Sequence, residues 1–180
     1  MVTLRVSKEI SLREFQPRDA HDIFTVAMAN FDHLARFVDW ISPEYSLASA
    51  EEFIARSITG WEERESLALG IFREECFIGA TGFVNFDWGA KKTEIGYWIS
   101  RHEEGKGIVT AACRCLIDFA FNDLEFNRIE IRCSALNHRS SAIPKRLGFV
   151  EEGLLRQAVL RSGTFHDYKI YGLLASEWSK

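Results

Sequence analysis

The run from Glu94 to Phe121 constrains this chain more than any other stretch. Its first part alternates. Ile95, Tyr97 and Ile99 fall on one side and Glu94, Gly96 and Trp98 on the other, the period-two pattern of a strand. Its last part carries apolar residues at Ile108, Ala112, Cys115, Leu116, Phe119 and Ala120, a one-sided helical stripe. Between them lies Glu104-Gly105-Lys106-Gly107. A helix start presents N–H groups with no internal partner, at the positive end of the helix dipole. Two glycines just ahead of it let a ligand come close to the backbone. Strand, glycine turn and helix together suit a phosphate or diphosphate. The turn is no Walker loop, because no Gly-Lys-Ser/Thr follows at the required spacing. It also lacks the third glycine of a dinucleotide fingerprint. An ordinary strand–helix connection is the alternative that spacing alone leaves open.

The order of the surrounding elements adds to this. Ile10 to Phe15 reads as a strand, and Pro17 opens a helix with a stripe of Ala20, Ile23, Phe24, Ala27 and Met28. Asn30 to Pro43 reads as a short helix and surface loop. Ser49, followed by Glu52, suggests a capping box for the next helix, in which Gly60 is an interruption or the start of the end. Strands follow around Leu67–Ile71 and over Phe77–Phe86, and the opening stretch completes a meander. After the central helix, Arg128-Ile-Glu-Ile-Arg-Cys alternates strictly. Asn137 and Ser140 can cap a short helix ending near Leu147-Gly148. Extended chain starts at Phe149, and a final run spans about Thr164 to Leu174. The crossover through the central helix predicts one parallel strand pair in a mostly antiparallel sheet, with helices on both faces.

Composition sets outer bounds. Residues 1–180 read as one domain without repeats or linkers, 47% apolar and 27% charged. No apolar run approaches the roughly 20 residues of a membrane span, and the first residues lack a signal-peptide core. The expectation is a cytoplasmic protein with no membrane partner. The four cysteines, two of them at Cys113 and Cys115 on one helix, read as buried thiols, with no metal or disulfide. A net charge of −4 argues against nucleic acid and suits either a basic substrate or simple solubility.

Three further segments carry a resemblance: Gly105-Lys-Gly-Ile-Val-Thr, Asn137-His-Arg-Ser140, and Leu147-Gly-Phe-Val-Glu-Glu-Gly153. With the terminal Gly163-Thr-Phe-His-Asp-Tyr-x-x-Tyr pattern, they resemble the GNAT superfamily of acyl-CoA-dependent N-acetyltransferases over nearly the whole chain. Within it the chain looks most like the RimJ/RimL group, which acetylates N-terminal amines of ribosomal proteins. The resemblance implies an α/β (α+β) fold of GNAT type and acetyl-CoA as cofactor. The family's Gln/Arg-x-x-Gly-x-Gly/Ala motif falls on Glu104-Gly105-Lys106-Gly107-Ile108-Val109. Here Glu replaces the first residue and Val the last small one. Gly105, Lys106, Gly107, Ile108, Val109 and Thr110 are thus the implied diphosphate seat. Lys106, Arg101 and Arg114 either add positive charge there or form a solvated rim.

Acetyl transfer to an amine needs a neutral amine, a polarised carbonyl, close approach and a stabilised thiolate. The resemblance puts carbonyl polarisation on a backbone N–H near Trp98 and Ile99. An α-amine, with a free pKa of about 8, needs little help to lose its proton. Glu94 is the candidate base; otherwise it is a charge at a strand start or an arginine's partner. Pro144 stands where many GNAT enzymes carry an acidic tyrosine. Ser140 is the nearest hydroxyl, as proton donor, helix cap or both. Asn137 is assigned to the pantetheine arm or to capping. RimL-type enzymes place a carboxylate soon after the Glu-Gly element, but Gln157-Ala-Val159-Leu holds none. Asp39 with Trp40 offers an ammonium a carboxylate and an aromatic face. His33, Trp61, Trp88, His166 and Asp167 are further candidates for an acceptor pocket. Phe31, Phe37 and Ile41 fit a subunit contact instead, so a homo-oligomer is possible. The expected acceptor is a protein N-terminus. A small amine (polyamine, amino acid or aminoglycoside), a CoA-binding sensor without turnover, and a partner protein without nucleotide are the alternatives.

Overall fold

A computed structural model describes residues 1–161 and 163–178. Strands β1 (Thr3–Arg5) and β2 (Ile10–Glu14) form a hairpin. Helices α1 (Ala20–Ala29), α2 (Phe31–Leu34) and α3 (Leu47–Glu62) follow. The meander is β3 (Leu67–Arg73), β4 (Cys76–Asp87) and β5 (Lys92–Ile99). Then come α4 (Ile108–Asn122), β6 (Arg128–Ser134), α5 (His138–Arg146), β7 (Val150–Arg161) and β8 (Thr164–Leu174). One sheet joins the eight strands of the described residues in the order β1-β2-β3-β4-β5-β6-β8-β7. Among the described strands only β5 and β6 run parallel, as the crossover through α4 predicts.

Alternation along the strands splits the core between two faces. On one face α4 buries Ile108, Ala112, Cys113, Leu116, Ile117 and Ala120 against Ile95, Ile129, Ile131, Tyr171 and Leu173. On the other, Ile23, Ala50 and Ile54 of α1 and α3 pack against Phe15, Phe72, Phe77 and Ala80. The α4 stripe is turned slightly from the expected one. Cys113 is fully enclosed, while Cys115 sits at the edge beside the Arg5 carbonyl.

Two local expectations need correction, and one open alternative is decided. The sheet begins with a strand before Ile10, because Val2, Leu4 and Val6 find apolar partners in the core. Helix α3 starts one turn earlier, where Ser46, not Ser49, is the cap. Ser46 Oγ accepts from the Ser49 N–H at 3.3 Å, and Ser49 Oγ accepts from the Ser46 N–H at 3.2 Å. Gly60 does not interrupt this helix, which runs to Glu62; it lies in the last turn, where its carbonyl accepts from the Glu65 and Ser66 N–H groups.

The sheet is not closed at its parallel joint. β5 and β6 pair only at Lys92–Arg128, Thr93–Ile129 and Glu94–Glu130. Beyond those pairs the strands diverge, β5 to Ile99 and β6 to Ser134, and a fork opens between them. The β5–α4 turn and α5 flank that fork.

Candidate active site

Two cavities, of about 910 and 790 Å³, meet at the fork. They share Phe37, Val38, Tyr97, Trp98, Asn137 and Ser140, so these six residues mark the junction. The smaller cavity runs past the glycine turn to α4, and the larger lies among aromatic side chains of the α1–α3 face.

The turn has the form that anion binding requires. Gly105 and Gly107 hold φ of +77° and +76°, a region that side chains resist. Nothing lies within 4 Å of where a Cβ would stand on either, so the space over the turn is open. Gly107 caps α4 with its backbone alone, and no acid occupies the helix's first turn. The N–H groups of Ile108, Val109 and Thr110 therefore have no acceptor within the helix. Val109 buries its side chain in the core, so this departure from a small residue costs little room. Gly105, Gly107, Ile108, Val109, Thr110, Trp98 and Ile99 all border the smaller cavity. Lys106 does not; its ammonium pairs with Glu103 at 3.2 Å.

At the junction, Asn137 Oδ1 accepts from the Ser140 N–H at 3.0 Å and caps α5. Ser140 Oγ donates to the Tyr97 hydroxyl at 3.1 Å, and that hydroxyl donates to the Ser140 carbonyl at 3.1 Å. The carbonyl is open to it because Pro144, four residues on in the helix, has no N–H to offer. Burial pushes the Tyr97 phenol well above its ordinary pKa, so it stays protonated. Sequence reasoning missed Tyr97. Alternation placed it with Ile95 and Ile99 in the core, where most of its ring does lie, but its hydroxyl extends to α5.

Glu94 borders neither cavity. It stands at the closed end of the fork, with its carboxylate 3.3 Å from Arg132, which borders the larger cavity. Burial raises its pKa above the ordinary value; Arg132 opposes this and Glu130 adds to it.

Asp39 and Trp40 both border the larger cavity. Trp40 is 43% exposed and packs against Trp98 and Tyr45, with ring centroids 5.5 and 5.6 Å apart. Asp39 is not a free carboxylate. Its Oδ1 accepts from Arg161 Nε at 2.6 Å, and the same guanidinium donates to the Arg36 carbonyl and the Tyr168 hydroxyl. His33 faces the smaller cavity. Trp61 and Trp88 lie away from both, in an aromatic cluster with Phe86 and Phe126. His166 and Asp167 are outside both cavities too, and Asp167 accepts from the Gln157 N–H. Ile41 is buried with Ala27 and Leu34 and serves this chain's own core.

Comparison with known proteins agrees with this geometry. The Acetyltransferase (GNAT) domain model matches residues 9–150. YdaF of Bacillus subtilis, provisionally named a ribosomal N-acetyltransferase, is 35% identical over 99% of this chain and 98% of its own length. The ribosomal-protein-serine acetyltransferase of Escherichia coli is 26% identical over 94% of each. The crystal structure of the microcin C7 self-immunity acetyltransferase MccE, with acetyl-CoA and AMP, superposes with a TM-score of 0.89 at 28% identity, again over 94% of each chain. An open glycine turn before α4, a parallel pair that forks beside it and a domain match over most of the length converge: the chain belongs to the GNAT family and is an acetyl-CoA-dependent N-acetyltransferase.

Proposed function

We propose that this enzyme acetylates the N-terminal α-amine of a protein, with a ribosomal protein as acceptor. The carrying observation is the junction at Tyr97, Asn137 and Ser140, where two cavities of different character meet. The smaller fits coenzyme A: three unpaired N–H groups at Ile108–Thr110 suit its diphosphate, and Asn137 suits the pantetheine arm. Bound acetyl-CoA supplies an activated acyl carbon. The larger cavity, lined by Asp39, Trp40 and Trp98, admits the amine from the opposite side.

Transfer then forms a C–N bond as the C–S bond breaks. The backbone N–H of Ile99, which points into the fork while that of Trp98 points to β4, polarises the carbonyl. The Ser140 hydroxyl turns its single proton from Tyr97 to the sulfur as negative charge develops there. The proton leaving nitrogen passes through water to Glu94, whose raised pKa suits a proton acceptor better than an ordinary glutamate's. An α-amine, already partly neutral near pH 8, demands little of so remote a base. The names of YdaF and the Escherichia coli relative support a ribosomal acceptor.

A second reading keeps the chemistry and changes the acceptor to a small molecule. The aromatic walls of the larger cavity suit a planar ring, and MccE, of comparable similarity, was crystallised with AMP. Thiol release separates the two. Short peptides with free ribosomal-protein N-termini should turn over, and the same peptides with blocked N-termini should not. Turnover confined to small amines would overturn the protein-acceptor reading.

A further inference from the structure

A glutamate at the edge of a diphosphate seat should repel the ligand, yet this chain carries Glu104 there. Its carboxylate is only 15% exposed and does not stand alone. His33 Nε2, from α2, donates to Oε1 at 2.8 Å. Arg139, from the first turn of α5, pairs with Oε2. Both partners border the cofactor cavity, as Glu104 itself does. Arg139 is 77% exposed, so apart from this contact its guanidinium is free to turn toward a ligand. The neighbouring carboxylate is also occupied: Glu103 pairs with Arg73 at 2.6 Å and with Lys106.

We propose that Glu104 is a tether that holds Arg139 over the glycine turn, and that Arg139 is the side-chain ligand of the coenzyme A diphosphate. The carboxylate takes one edge of the guanidinium, and the fork of five N–H donors leaves the others for phosphate oxygens. His33 fixes the second carboxylate oxygen and so sets the direction of the tether. The departure at Glu104 is thereby compensated from two distant segments, α2 and α5. Near the turn a net negative charge becomes neutral or positive, which favours an anionic ligand.

This rests on the proposed seat of the diphosphate at Gly105–Thr110. Calorimetry with coenzyme A, which needs no acceptor amine, tests both levels. Arg139→Ala should weaken binding about tenfold at low salt, with the deficit shrinking as salt screens the charges. Glu104→Gln in the Arg139→Ala background should recover only part of the loss, the share due to the uncompensated carboxylate; full recovery would reduce Arg139 to a neutraliser of Glu104 and overturn its role as ligand. Dephospho-coenzyme A, which lacks the 3′-phosphate, should show the same Arg139→Ala deficit. A deficit seen only with intact coenzyme A would assign Arg139 to the 3′-phosphate and overturn the proposal. Unchanged affinity in Arg139→Ala, with an unaltered melting temperature, would overturn it as well. Gly107→Val tells the two levels apart. If it abolishes binding while Arg139→Ala has no effect, only the tether falls; if neither change matters, the seat falls too.

Discussion

The Tyr97 hydroxyl donates to the Ser140 carbonyl, four residues before Pro144 in α5, and in return accepts from the Ser140 side chain. Pro144 therefore has a structural consequence of its own. It leaves a carbonyl vacant, and a tyrosine from β5 fills the place at the junction of the two cavities. Tyr97→Phe leaves that carbonyl without its donor and is expected to cost about 1–3 kcal/mol in chemical denaturation. In a Pro144→Ala background the restored amide satisfies the carbonyl, and the same Tyr97→Phe change should cost distinctly less. Equal costs in both backgrounds would mean that the two residues are not coupled.

Ser140→Ala keeps the Asn137 cap, which uses the Ser140 amide, but removes the hydroxyl at the junction. Turnover should fall by about 10²-fold if that hydroxyl assists the leaving sulfur. Affinity for coenzyme A should change little, since the diphosphate contacts are untouched. Single-turnover rates and calorimetry on the same protein provide the check.

Glu94 gains its proton at a higher pH than an ordinary glutamate, whose value is 4.5. As pH falls through the folded-state value the group ceases to accept a proton, so kcat/KM should decline on the acid side above pH 4.5. Glu94→Gln should lower kcat/KM by about 10²-fold and abolish that limb of the profile. A variant that keeps full activity and the same acid limb removes Glu94 as the base.

Arg161 reaches from the end of β7 to Asp39, the Arg36 carbonyl and Tyr168, with only 7% of its side chain exposed. It pins the segment that carries Phe37 and Val38, which border both cavities. Arg161→Lys keeps the charge but not three donors in a planar fork. KM should rise for acetyl-CoA and for the acceptor together. A rise for the acceptor alone would confine the latch to the acceptor side.

Asp19 is a buried carboxylate that accepts two hydrogen bonds from Arg13, at 2.7 and 2.9 Å, and one from the Gln16 N–H. Burial opposes its ionisation, but these donors prevail and hold its pKa below the ordinary 3.8. The resulting stability is present above the unfolded value of 3.8 and is lost as pH falls through the lower folded value. Asp19→Asn should therefore cost about 3–5 kcal/mol at neutral pH, where it leaves Arg13 without its counter-charge. The difference from the parent should narrow in urea titrations carried below pH 3.8.

Local pattern revealed much of this molecule. The alternation of Arg128–Cys133, most of the stripe of α4 and the bounds of β8 were legible, because each is fixed by neighbours along the chain. The glycine turn was legible for the same reason. Compensation across distance was not. Glu104 looked like a defect in its own segment, and its remedy lies 71 residues away at His33 and 35 residues away at Arg139. Asp39 looked like an open anchor for an amine until Arg161, 122 residues on, was found to hold it. Alternation told which way Tyr97 points but not how far its hydroxyl extends.

The fork at β5 and β6 has one more effect. A sheet that stops pairing in its middle carries two raw strand edges indoors, each with amides and carbonyls seeking partners. An elongated guest bearing amide groups of its own would serve as the missing rung between the halves. Amide exchange at Tyr97, Ile99, Arg132 and Ser134, whose N–H groups face the gap, should then slow together when such a guest enters, which makes the enzyme's own backbone the reporter of its occupancy.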